Sequence, residues 1–283
     1  MQSNNPVFRR SEEFNRAGVG YGQAQAPYGQ PGYGDPGQQA WGAPAPMGYD
    51  AVRRGGRMTI DTVVQSTAIT LAVVVAFAFA TWIITPDISV TGAEFGTLFA
   101  AMTIGSIGAF ALSMVNSFKR VASPALVLAF AAFEGVALGA LSKFFDSYFG
   151  DGIVVQAVIG TFAAFGGTLA AYKFFDIQVG QKFRTFVIAA MFGMVALSLM
   201  ELMLGLFGSS FGLFGFGGLG MVTAIAGLAL GVFMLILDFD FVEQGIRNGL
   251  PENESWRASF AMTVSLVWIY TNLLRLLAIL QQD

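Results

Sequence analysis

Residues 60–84 read IDTVVQSTAITLAVVVAFAFATWII, with one charge, Asp61, at the very start. At 1.5 Å per residue a helix of that length crosses the roughly 30 Å hydrocarbon core of a bilayer. The run begins abruptly after Arg57 and stops before Pro86-Asp87. Six further apolar runs follow, over about 95–117, 124–143, 153–174, 184–207, 217–239 and 257–280. Turn residues or charges separate them: Lys119-Arg120, Asp146 with Asp151, Asp176 to Lys182, a Gly-rich stretch over 205–218, and Arg247 to Glu254. The spacing therefore predicts seven transmembrane helices over residues 57–283. The fifth-to-sixth break stays apolar and fits a re-entrant loop as well as a plain turn.

Composition agrees. Of 283 residues 55% are apolar and 12% charged, and the mean hydropathy is +0.63, too little charge to solvate a soluble domain. The 28 Phe and 35 Gly suit lipid-facing helices that approach closely through small residues. A net charge of −3 argues against nucleic acid as a partner. With no Cys and no His, disulfides, the usual zinc sites and a His general base are excluded. No nucleophile–base pair can be assembled and no serine lies in an elbow motif, so the chain reads as a non-enzyme without a cofactor.

Residues 1–56 are rich in Gly, Gln, Pro and Tyr, with near-repeats at Tyr21-Gly22-Gln23 and Tyr28-Gly29-Gln30. Such a segment cannot bury enough apolar surface to offset chain entropy, so it reads as a disordered tail. No apolar core follows the early arginines as in a signal peptide. The positive charges alternate across the spans: Arg53, Arg54 and Arg57, then Lys119 and Arg120, then Lys173, Lys182 and Arg184, then Arg247 and Arg257. The other loops carry Lys143 against Asp87, Glu94, Asp146 and Asp151. The positive-inside rule then sets the tail in the cytoplasm and the C-terminus outside, in the cell membrane.

An ionisable residue inside a span costs roughly 2.5–3.5 kcal/mol on insertion scales, so each one asks for a reason. Glu134 lies mid-way along the third span, and Gly135 and Gly139 beside it form a GxxxG packing face. It reads either as an ion or proton ligand or as a hydrogen-bonded packing acid. In the sixth span Gly227, Gly231 and Asp238 fall on one helical stripe, which sets the acid on the close-packed face. Asp240 is turned about 200° from Asp238 on an unbroken helix, so both cannot reach one site. Asp240, Glu243 and Arg247 have the spacing of a solvated charge network. Ser265, Trp268, Asn272 and Arg275 make one polar stripe along the seventh span, which should face the protein interior. Arg275 there either snorkels outward or pairs with a buried acid. Glu201, late in the fifth span, fits an interfacial position.

These passages resemble the Bax inhibitor-1/YccA family, in a bacterial member. Phe130 to Gly139 is similar to the family's Phe-Thr-x-x-Glu-Gly-x-x-Leu-Gly signature, with Ala131 in place of Thr. Gly231 to Val242 resembles its sixth-helix ending, with Leu237-Asp238 where Tyr-Asp is usual, and Asn272-Leu273-Leu274 resembles its closing Asn-Leu-Phe. The resemblance covers the chain from about residue 57. It implies an all-α integral membrane protein, a seven-transmembrane helix bundle with six helices around a central C-terminal helix. It also implies a pH-sensitive calcium leak gated by paired aspartates on the last two helices. Asp238 matches one aspartate of that pair and Glu134 the family's glutamate. The other aspartate has no counterpart: Asn272 as the anchor puts Ile269 there, and Arg275 puts Ser265 there. A lone carboxylate lacks the mutual repulsion by which two close acids share a proton.

Two functions follow as expectations. The first is a passive cation leak, with Glu134, Asp238, Asp240, Asn272 and Arg275 lining or gating the route. Glu134 and Asp238 would meet a transported or bound Ca2+, and Arg275 would serve as a counter-ion. The second is a regulator that binds other membrane proteins, such as a membrane protease, through the N-terminal tail.

Overall fold

The computed structural model describes residues 56–86, 93–150 and 152–282. The predicted tail, apart from Gly56, lies outside these residues, as do Asp87 and Asp151. The described residues form seven helices: α1 (Ile60–Ile84), α2 (Ala93–Phe118), α3 (Pro124–Phe149), α4 (Ile153–Phe174), α5 (Gln181–Leu206), α6 (Gly218–Arg247) and α7 (Glu254–Leu280). Each is long and apolar enough to cross a membrane. The protein is an all-α, seven-span bundle.

Local sequence sets the helix ends. Thr59 caps α1: its hydroxyl accepts from the Thr62 amide at 3.2 Å, and the Thr59 amide donates to Thr62 Oγ1 at 3.0 Å. Pro124 opens α3 at a first-turn position, where its missing N–H has no helical partner to lose. Two helices run beyond the predicted apolar segments. The third continues through Lys143 and Asp146 to Phe149, and the sixth continues through Asp240 to Arg247. Hydropathy ends where the hydrocarbon ends, whereas the hydrogen-bonded ladder goes on. Residues 207–217 form a turn without helix.

At the centre, α7 packs against α1, α3, α4 and α6, while α2 lies chiefly on α3 and α5 on α6. Lipid offers no hydrophobic drive between helices, so close fit and hydrogen bonds must hold them. On α3, a Cβ at Gly135 or Gly139 would overlap the α1 backbone at Val74 and Ala78. The facing sides of α1 and α7 carry hydroxyls every fourth residue. Thr62 meets Ser255 at 2.8 Å, and Thr70 meets Ser259 at 2.7 Å. Ser66 and Ser259 donate to Ser255 O and Ser66 O, both at 3.0 Å. The outer surface is left to apolar side chains, among them Phe110 and Phe192, as contact with acyl chains requires.

Candidate functional site

The polar stripe of α7 lies along α6 in antiparallel register. Ser265 Oγ donates to Asp238 Oδ2 at 2.5 Å. One turn further along α7, Trp268 Nε1 donates to Gly227 O at 2.8 Å, and a Cβ on Gly231 would strike Ile269. Asn272 has its side-chain amide against Gly227 and donates to Trp268 O at 2.8 Å. Gly227 and Gly231 thus leave the room that Trp268, Ile269 and Asn272 fill. Among the described residues Ser265 is the hydrogen-bond partner of Asp238. Of the two positions that could oppose this acid, Ser265 is the one that does.

At the far end of the stripe Arg275 meets no carboxylate among the described residues. Its Nη2 donates to Leu213 O at 3.2 Å, Thr223 Oγ1 at 3.3 Å and Gly220 O at 3.4 Å, and its guanidinium lies 5.0 Å from the Phe214 ring centre. Ten residues of helix, about 15 Å, separate it from Ser265, so it is not the counter-ion of Asp238. Glu201 holds the same loop by the opposite chemistry. Its carboxylate accepts the amides of Phe211 at 3.2 Å, Gly212 at 2.8 Å and Leu213 at 3.2 Å. Sequence reasoning left Glu201 as a bare interfacial acid; only the fold of the loop, with Gly208 and Gly212 at positive φ, turns three amides towards it.

Asp240 is buried rather than solvated, which corrects the expectation of an exposed network. It points away from Asp238 to Arg184 of α5 at 2.9 Å, and it accepts from Gln244 at 2.8 Å. The helix is unbroken through both acids, and the 100° step between residues sends them to different neighbours. Glu243 does form a charge pair with Arg247, and Tyr172 of α4 donates to it at 2.8 Å.

Glu134 is half-buried on the α3 face that meets α7. One turn before it, Phe130 packs edge-on against Phe260, and two turns beyond it Ser142 meets Tyr270 at 2.6 Å. Counting along these parallel helices puts Glu134 about level with Thr263 and Val264, next to Ser265. The two acids therefore flank α7 at one depth, Glu134 from α3 and Asp238 from α6. No donor among the described residues bonds to the Glu134 carboxylate. Among the described residues no group of three or more acidic side chains gathers as a metal cage.

The chain matches the Bax inhibitor 1 like family over residues 5–282. It belongs to that family. The match to this Bax inhibitor 1 like family starts within the tail, well before the motifs that carry the resemblance. No curated protein is significantly similar to the chain. Within the Bax inhibitor 1 like bundle, Asp238 sits in the second half of α6 opposite a hydroxyl rather than a second acid.

Proposed function

We propose that this membrane protein is a passive cation leak, with calcium as the ion and Glu134 and Asp238 as the carboxylates along its route. The observation that carries the reading is the pair of acids flanking α7 at one level, each with few or no hydrogen bonds to hold it. Hard cations take oxygen ligands, and an ion that must leave again is better served by sparse sites than by a closed cage. Family membership supports the same reading. The proposed orientation puts the ends of α2, α4 and α6 in the cytoplasm. There Arg257 donates to Arg120 O at 2.8 Å, gathering cations at that side of the bundle.

Purified protein in liposomes with a trapped calcium dye tests the reading. Glu134→Gln and Asp238→Asn should each cut flux several-fold relative to wild type. Unchanged flux in both variants overturns it.

A second reading, a regulator of other membrane proteins, draws on the root of the tail. Arg57 bridges Pro251, Met58 N donates to Leu250 O at 2.8 Å, and Glu252 N donates to Gly56 O at 2.8 Å. A partner pulling on the tail would therefore act on the α6–α7 turn. Deleting residues 1–55 should then abolish partner capture while leaving flux intact.

A further inference from the structure

α1 and α4 each rest on α3 and α7 rather than on one another, and a groove of about 270 Å³ opens sideways between them. Its rims are the exposed apolar residues Val75 and Phe79 on α1 and Val158 and Phe162 on α4. Along α1 the groove runs from Leu71 to Trp82. Those eleven residue steps measure about 16 Å, against roughly 15 Å for half a 30 Å hydrocarbon core. Leu71 is near the middle of α1, and Trp82 is near its end, where a tryptophan suits the membrane–water interface. On α4 the groove covers Val154 to Phe162, the first half of that helix. The groove therefore spans one leaflet, from the bilayer centre to the interface at which α1 ends.

Its floor asks for no polar ligand. Ser142 donates to Leu138 O at 2.6 Å and shares a hydrogen bond with Tyr270 at 2.6 Å. Thr161 donates to Ala157 O at 2.7 Å. These hydroxyls are satisfied inside the protein, so what fills the groove is apolar, narrow and one leaflet long. We propose that it is a binding site for a single acyl chain of a membrane phospholipid in that leaflet, with the headgroup at the level of Trp82. Ordinary boundary lipid touches the protein on one side, as at Phe110 of α2 or Phe192 of α5. A chain in this groove touches α1, α4 and the α3–α7 floor together, and dispersion contacts grow with the number of atoms met.

The test uses the full-length protein in liposomes that contain a phospholipid with a diazirine mid-way along one acyl chain, with adducts mapped by mass spectrometry. Groove segments 71–82 and 154–162 should label about tenfold above the peptides holding Phe110 and Phe192, the ratio of a 1.4 kcal/mol preference. Val158→Trp, which fills the groove from its rim, should reduce groove labelling to the boundary level and leave the other peptides unchanged. Val158→Phe serves the same purpose if the larger side chain prevents folding, which elution as a single species would reveal. Equal labelling of groove and boundary in the wild type overturns the proposal, as does undiminished groove labelling in a folded, filled variant. Displacement of the label by an equimolar sterol would assign the groove to a rigid ring system and overturn the acyl chain as its occupant.

Discussion

At Asp238 the carboxylate meets one hydroxyl, that of Ser265. A hydroxyl can donate to the acid but cannot contest its proton, so this site lacks the strong coupling of a carboxylate pair. Ser265→Asp should supply it. Two facing acids that share a proton draw α6 and α7 together at low pH, whereas two ionised acids repel. Calcium flux in the variant is expected to rise several-fold from pH 6 to pH 8, with a flatter wild-type profile in the same dye assay. A variant no more pH-dependent than wild type would show that Ser265 does not occupy a gating position. Glu201 gives a second residue-scale prediction. Glu201→Gln leaves one oxygen for three amides, and hydrogen bonds to a charged group are worth about 1.5–3 kcal/mol. Hydrogen exchange at Phe211, Gly212 and Leu213 should accelerate about tenfold or more, while exchange in α7 stays unchanged.

The pairing of α3 with α1 depends on the absence of side chains. Gly139→Leu drives a side chain into the backbone of Ala78, and overpacking of this kind costs about 1–3 kcal/mol. Gly193→Leu on α5 meets open space and serves as the matched control. Thermal unfolding in detergent should fall clearly for the first and hardly for the second. Between α1 and α7 the hydroxyls contribute where glycine does not. A double-mutant cycle on Thr70→Val and Ser259→Ala should give a coupling of about 0.6 kcal/mol and no more than about 1.7, the range for hydrogen bonds between membrane helices. The spacing Thr62, Ser66, Thr70 and Ser255, Ser259, Thr263 was visible in the chain. Its meaning was not, because weakly polar residues every fourth position fit a lipid-facing helix as well as a packed one.

Over the whole molecule, the tail joins the bundle at a point that bears load. Met58 is 2% exposed and packs with Val63, Leu235, Phe239 and Met262. Met58→Ala should destabilise the bundle by about 2–5 kcal/mol, as buried methionine truncations do. Deletion of residues 1–55, which spares this anchor, should leave the unfolding temperature near wild type. A large drop on deletion would place part of the fold's stability within the tail.

Seven spans, their order and the family were legible in the chain because bilayer thickness imposes a length and a composition on every crossing helix. The GxxxG of α3 and the polar stripe of α7 were legible for a related reason: a 100° step per residue puts them on one face whatever that face meets. What that face meets belongs to the tertiary structure alone. Sequence spacing separated Asp238 from Asp240 but could not give the second a buried partner, because Arg184 comes from another helix, 56 residues away. Arg275 and Glu201 look like stray charges until the 207–217 turn presents the Leu213 carbonyl to one and three amides to the other. The depth shared by Glu134 and Asp238 likewise exists only once α7 stands between α3 and α6. Local periodicity fixes a face; packing alone fixes its neighbour.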